Sequence, residues 1–552
     1  MEQQRVILAI ALSLAVLFVW QSYFGPQPED MANMPATTAT TGGADGTSAT
    51  TGGATAATTT TGQDTATPKP VQVEKIDPEV VEFKSPNYDA SLTNVGGRLQ
   101  SFVVLQPEQY QPRGNMLLPI EDEGGLKHMP FTLTMGQPAT LAEEAMYKVV
   151  SKDDQGVLLR YTDPGGRFLL DKRFSHDSDA PNSFKVELTI TNTQDRANLT
   201  DTLNLVMYGK QAAGSGEWSL FNPIPDITES ICFVTEDGIE RAGAEDASEK
   251  PRFAGPIAWG GVDSRYFITS VISKDEPFAS CAFDLVDKDY LRTQLNLGDF
   301  NIAPGEKKSW ALTSYMGPKS TEQMATFGVE LERSIDYGLF EFLCRPIRWV
   351  LVLFHGWTGN WGIAIILLTV FLRTLLFPIN HKSFKSMEGL RRIQEPMQEI
   401  REKYANDQMK MQEEMMKLYK QENVSPFGCL PQMLQIPIFF ALYRTIYSSV
   451  ELYHANFFGW YTDLSAPDPY FVLPILVGFA MVGQQLLMPQ TAQNEQMKYV
   501  MYAMPVMFSV FTFVLPSGLA LYIFVSVLLG ITQQYYIRKT SSSDDTPKAA
   551  KA

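Results

Sequence analysis

Five apolar runs of spanning or near-spanning length occupy the last third of the chain: 361–379, 427–447, 470–488, 500–515 and 518–536. A hydrocarbon core takes about 20 apolar residues to cross as a helix, and every backbone polar group inside it has to be satisfied within the segment. These runs therefore predict a bundle of membrane helices. No other feature restricts the possible folds as strongly.

The rest of the 552 residues divides into unlike parts. Val6 to Trp20 is a further apolar run, preceded by Arg5 and followed by Gln21, Ser22, Tyr23 and Phe24 with no small-x-small cleavage site; it reads as a retained anchor over 1–25. Residues 26–70 collapse to Thr, Ala and Gly, a composition that cannot bury enough surface to fold and so makes a tether. Over 71–330 the period changes to two. In SFKVELTITN, Phe184, Val186, Leu188 and Ile190 alternate with Lys185, Glu187, Thr189 and Thr191, and GVLLRYTDPGGRFLLDKRF is two strands about an Asp163-Pro164-Gly165-Gly166 turn. Short strands over such a length predict a large β-sandwich. The run LFEFLCRPIRWVLVLF within 331–356 carries Glu341, Arg345 and Arg348 and breaks at Gly356, so it is expected to lie along the membrane surface. The four cysteines form no C-x-x-C pair; Cys232 and Cys281 either pair in an exported domain or remain as buried thiols.

Charge orients these parts. The 382–422 connection is rich in Lys and Arg, and the tail begins Arg538-Lys539, whereas 451–469 has neither residue. By the positive-inside tendency the first two face the cytoplasm, together with both termini, and the β domain is exported. The basic connection is itself helical in period: Met387, Leu390, Ile393, Met397, Ile400 and Tyr404 lead to a turn at Ala405-Asn406-Asp407, after which Met409, Met415, Met416 and Tyr419 resume the pattern. Its methionines either pack two hairpin helices together or offer an adaptable surface to apolar partners.

Within the six spans the sequence supplies no Asp or Glu, and besides Arg444, near the end of the 427–447 run, it supplies one arginine, Arg373, well inside the 361–379 run. A cation at mid-membrane costs about 2.5 to 3.5 kcal/mol on insertion scales unless carbonyls, water or an opposite charge offset it. Arg373 must therefore snorkel to the interface or face water. Thr369 lies one turn away, and Gln432, Gln435, Gln484, Gln485, Ser509, Thr512, Ser517 and Ser526 on the other spans can together line a wet groove around it. The net charge of -16 argues against nucleic acid as a partner. No nucleotide loop, metal-binding set or nucleophile-base motif is present, so neither catalysis nor a cofactor is expected.

Four segments carry a family likeness: NWGIAIILLTVFLRTLLFP, SPFGCLPQMLQIPIFFALY, DLSAPDPYFVLPIL and FVLPSGLALYIFVSVLLGITQQYYI. In this order and spacing they resemble the YidC/Oxa/Alb membrane-protein insertases. An amino-terminal anchor with a large exported domain is similar to the Gram-negative bacterial form. The resemblance implies a multi-domain inner-membrane protein: a six-span α-helical membrane domain comprising the anchor and a five-helix core over 357–540, a periplasmic β-supersandwich, a cytoplasmic hairpin and a short 541–552 tail. It further implies a cytoplasm-open hydrophilic groove containing Arg373 and a hairpin, with Lys382, Lys385, Arg391 and Arg392, that receives clients. A slide of Met433, Phe439, Phe440, Met504, Phe508 and Phe511 would release them into lipid. Nascent membrane proteins would be the clients, with the Sec translocon, the ribosome or signal recognition particle pathway, and membrane lipids as partners. Asp544 and Asp545 in the short tail put direct ribosome docking through it in doubt. The competing class is a transporter of an anion or lipid headgroup that uses the same arginine.

Overall fold

A computed structural model describes residues 76–106, 128–136, 140–153, 155–178, 180–211, 228–405, 407–421, 430–487 and 495–543. The expected anchor, the tether and the 541–552 tail beyond Ser543 lie outside the described residues, as do Cys429 and Asn406.

The period-two region folds as antiparallel sheet. One thirteen-stranded sheet contains the strands Thr132–Met135, Leu199–Lys210, Tyr290–Ile302, Phe278–Val286, Arg252–Ser264, Phe267–Ile272, Lys307–Pro318, Ser183–Asn192, Phe168–His176, Gly156–Thr162 and Lys148–Asp153 in that spatial order. Thr228–Val234 pairs with Arg252–Ser264 and with Gly238–Ala242. Phe184, Val186, Leu188 and Ile190 are fully buried while Lys185 and Glu187 face out, which is the alternation a half-buried strand requires. At the Asp163 turn, Gly166 adopts φ +66° and its N–H donates to the Asp163 carbonyl at 2.8 Å. The Asp163 carboxylate accepts from the Arg167 backbone N–H and from its Nε, at 3.1 and 2.8 Å.

A second sheet of Val80–Lys84, Tyr88–Thr93 and Arg98–Val104 closes the core. Phe83 and Phe102 place their rings 5.7 and 6.0 Å from Phe184. Cys232 and Cys281 are both buried free thiols in this core, which settles their alternatives against a bridge.

Among the described residues, eight helices of ten or more residues follow: α1 Glu341–Thr358, α2 Trp361–Arg392, α3 Gln394–Lys403, α4 Gln408–Gln421, α5 Leu430–Ser448, α6 Val472–Leu487, α7 Glu495–Thr512 and α8 Ser517–Ser543. Trp361–His381 and Ser517–Ile537 are long and apolar enough to cross a membrane, and α6 is a shorter apolar helix. Three expected boundaries move. Helix α1 starts at Glu341, after two 3-10 turns at Leu331–Ser334 and Gly338–Phe340. It runs through Gly356 and stops at Gly359, whose φ of +64° lets its N–H donate to the His355 carbonyl at 2.7 Å and cap the last turn. Helix α2 passes Pro378 without a break, because a proline removes one ladder hydrogen bond while the residues around it keep theirs. The first arm of the expected hairpin is thus a direct continuation of the membrane helix, and the hairpin proper is α3 with α4.

Charged side chains tie the β domain to the helices. Asp263 Oδ2 accepts from Lys319 Nζ at 2.9 Å and from Arg241 Nη1 at 2.7 Å, all three side chains being largely buried. Arg241 Nη2 donates to the Ser334 carbonyl at 2.5 Å, and Trp259 Nε1 to that of Val329 at 3.0 Å. Asp336 pairs with Arg444 on α5, and Arg348 on α1 pairs with Glu451. Burial pushes the Asp336 carboxyl up, but Arg444 and Arg241 outweigh that and hold it below the usual carboxylate range.

Candidate functional site

Helix α2 places Arg373 one turn beyond Thr369, half-buried against α8. Its Nε and Nη2 both donate to Ser526 Oγ, at 3.0 and 2.7 Å. One turn earlier on α8, the buried Tyr522 hydroxyl accepts from Gln435 Nε2 on α5 at 3.2 Å. Neutral polar groups of α5 and α8, Gln435, Tyr522 and Ser526, thus stand on this side of the bundle with the guanidinium. No ion pair includes Arg373 among the described residues. Two of the three guanidinium nitrogens are thus bonded to a neighbouring helix.

Not every polar residue expected at the groove comes to it. Thr369 is fully buried and donates to the Ile365 carbonyl at 2.7 Å, so its hydroxyl is satisfied within α2. Ser517 donates to the Asp463 carbonyl at 2.9 Å, at the opposite end of α8 from the basic segment. It lies nine residues from Ser526, about 13 Å along a helix and on the opposite face at 100° per residue. Ser509 donates to the Pro474 carbonyl at 3.0 Å and so ties α7 to α6, whereas Thr512 donates to the Ser509 carbonyl at 2.6 Å within α7. The side chains of Gln432, Met433, Met504, Lys382, Lys385, Arg391 and Arg392 lie outside the described residues.

Tyr522 escaped the sequence reading, although a stripe of four-residue steps on α8 signals it: Tyr522, Ser526, Gly530 and Gln534 share one face.

The expected slide is turned partly inward. Phe439, Phe508 and Phe511 pack together, with centroids 6.2 Å apart for Phe439 and Phe508 and 6.3 Å for Phe508 and Phe511. Phe440 is exposed on α5, and the exposed apolar side of α7 is made by Val506, Met507 and Val510. The rings of Phe439, Phe508 and Phe511 thus fill space between α5 and α7.

The chain matches the family described as 60Kd inner membrane protein over residues 353–544 and the YidC periplasmic domain over residues 80–350. A membrane protein insertase YidC of Syntrophobacter fumaroxidans is 33% identical over 569 residues, covering 97% of this chain and 100% of that protein. The counterpart of Geobacter sulfurreducens is 40% identical over 291 residues, which span 52% of this chain and about half, 54%, of that protein. A crystal structure of an active YidC insertase with its first transmembrane domain resolved aligns over 85% of this chain and 95% of that one, at 19% identity and a TM-score of 0.36. With a periplasmic β domain, an apolar helical region and full-length likeness to curated insertases, this chain belongs to the YidC family of membrane protein insertases.

Proposed function

We propose that Arg373 is the transient counter-charge for acidic residues of a client's translocating tail. The carrying observation is that the guanidinium is held by Ser526 alone, with no carboxylate against it among the described residues. A cation so placed is satisfied enough to stay in the bundle, and it keeps N–H groups for an anion from outside.

In this reading the bundle lies in the inner membrane, with both termini in the cytoplasm and the β domain in the periplasm. Nascent membrane proteins reach a groove open to the cytoplasm by way of α3 and α4. They come from the ribosome or the signal recognition particle pathway, and larger clients are shared with the Sec translocon. The groove halves the polar distance that a tail must cross. As the client's apolar segment moves past Phe440, Val506, Met507 and Val510 into lipid, burial at roughly 25 cal/mol per Å² draws the tail onward. A membrane potential negative inside adds about 2.3 kcal/mol per acidic charge per 100 mV. The driving force is partition and potential, without a nucleotide.

Reconstitution of the full chain in liposomes tests this. Arg373→Lys is expected to retain most insertion, and Arg373→Ala to impair clients with acidic tails most. Wild-type insertion of such clients by Arg373→Glu overturns the reading. Saturable flux of a small anion without client insertion would instead mark a transporter.

A further inference from the structure

Leu199–Lys210, Tyr290–Ile302, Phe278–Val286 and Arg252–Ser264 are four neighbouring strands of the large sheet. Leu203, Leu205, Leu295, Cys281 and Phe283 on them point into the core, so the residues alternating with these form the sheet's other face. There Asn204, Asn296 and Ser280 stand opposite one another in one cross-strand row, and Gln294, Ala282 and Arg252 in the next. The short side chains of Ser280 and Ala282 make a floor, with Asn296 and Gln294 rising on one side and Arg252 on the other. The cavity they line holds about 330 Å³, within the roughly 300–1,000 Å³ of small-molecule sites. The largest apolar side chain in its lining is that of Ala282.

A bulge in the backbone completes the cavity. From Asn296 to Asp299 the strand takes three steps against two from Asn204 to Thr202 on its neighbour. The extra residue resets the alternation, so Asp299 shares the face of Asn296 instead of pointing into the core. Gly298 permits this with φ +88°, and its N–H donates to Asn296 Oδ1 at 2.6 Å. Among these groups Asn204 Oδ1 is buried with no hydrogen-bond partner among the described residues. An unpaired buried acceptor is costly until a donor reaches it.

We propose that this cavity is a binding site for a neutral polyhydroxylated ring, a sugar residue. Side-chain amides both donate and accept, the Asp299 carboxylate only accepts and the Arg252 guanidinium only donates. The ligand that matches such a mixture at close quarters carries adjacent hydroxyls, each of which is donor and acceptor at once. An anion would meet Asp299 and a cation Arg252, and an apolar client segment finds no surface to cover. Asp201, also in the lining, is engaged locally: its Oδ1 accepts from the Thr202 N–H at 2.8 Å and its Oδ2 from Thr140 Oγ1 at 3.1 Å. Asn204 Oδ1 and Asp299 accept from ring hydroxyls, while Arg252 and Gln294 donate to hydroxyl oxygens. The site belongs to the β domain and does not rest on the reading of Arg373.

The experiment uses the full chain in lipid nanodiscs, free of sugar-headed detergent, and titrates it calorimetrically with glucose, N-acetylglucosamine and the β-1,4-linked disaccharide of each. At least one of these sugars is expected to give saturable heat with a dissociation constant on the order of 1 mM, as about four ordinary neutral hydrogen bonds supply. A disaccharide bound about fivefold or more tightly than its monosaccharide assigns the site to a glycan chain, and equal binding assigns it to a free sugar. Ala282→Leu raises the floor and is expected to abolish the heat. Asn204→Ala removes the unpaired acceptor and is expected to weaken binding about five- to tenfold. Arg252→Ala should weaken it to a similar degree, and because Arg252 is exposed this variant guards against misfolding of the leucine one. No saturable heat with any of the four sugars overturns the proposal, and so does binding that Ala282→Leu and Arg252→Ala leave at the wild-type value.

Discussion

The Arg265 guanidinium lies 3.6 Å from the centroid of the Tyr447 ring, and its Nε donates to the Tyr447 carbonyl oxygen at 3.2 Å. One side chain from the β domain therefore meets both the ring and the backbone at the end of α5. Tyr266, next in sequence, sets its ring 4.9 Å from that of Tyr453. A desolvated cation-π contact is worth up to about 2 kcal/mol. Arg265→Ala is expected to speed hydrogen exchange of the 447–453 amides about five- to thirtyfold, the equivalent of one to two kcal/mol. Arg265→Lys should fall between, since it keeps the charge but loses the flat stack. Exchange unchanged in Arg265→Ala would show that the contact does not hold the junction.

Stability of the smaller sheet should depend on pH through His176. Its ring stacks on Phe83 at 4.2 Å and 5°, and its Nδ1 is hydrogen-bonded to the Tyr88 hydroxyl at 2.8 Å. Burial lowers its pKa below the ordinary value of 6.5. The fold therefore favours the neutral ring. As pH drops below 6.5 the unfolded chain takes up a proton before the folded one does, so stability complete above 6.5 is lost progressively beneath it. Protection factors of the Val80–Lys84 amides, corrected for intrinsic exchange, should decline from pH 7.5 to 5.5. They should lose this dependence in His176→Gln.

At the start of α2, Gly362 is required by a neighbour. An added Cβ would meet Phe457 Cδ2 at 2.0 Å and Cγ at 2.3 Å, while Asn360 Nδ2 donates to the Phe457 carbonyl at 3.0 Å. Gly362→Ala is expected to cost about 1–3 kcal/mol by overpacking. Adding Phe457→Ala should recover part of that in thermal melts of the detergent-solubilised chain. Additive losses in the double variant would refute the contact as the cause.

Methionines on α4 face outward: Met409 is 84% exposed and Met416 50% exposed. Packing between the hairpin helices does not account for them. Met409→Gln with Met416→Gln should shift stability by less than about 0.5 kcal/mol. The same pair is expected to reduce photocrosslinking of nascent apolar segments to α4 severalfold. Undiminished crosslinking would remove the client-receiving role from this surface.

Period and composition made the broad layout legible. Phe184 to Ile190 betrayed a half-buried strand because strand periodicity is local and needs no knowledge of the partner strand. Arg373 stood out because a lone cation among apolar residues is costly wherever the helix packs. Its partners were harder to find. Ser526 was one polar candidate among many, and Ser517 could have been set apart by its half-turn offset from Ser526 on the same helix. Tyr522 looks apolar in a hydropathy pattern. Which faces of α2, α6 and α8 meet depends on packing between segments well separated in sequence. The inward turn of Phe508 and Phe511 was hidden for the same reason.

The buried Arg241, Asp263 and Lys319 cluster bears on how this chain can be cut and rejoined. Lys319 immediately follows the last strand, where a chimera would ordinarily be spliced, yet its carboxylate partner sits at the far end of another strand and Arg241 reaches on to Ser334. A transplant boundary at 319 would strand an ammonium or a carboxylate in the interior. A seam after Ser334 would carry the trio across intact, and it sets the natural unit of exchange for this family member some fifteen residues beyond the visible end of its sheet.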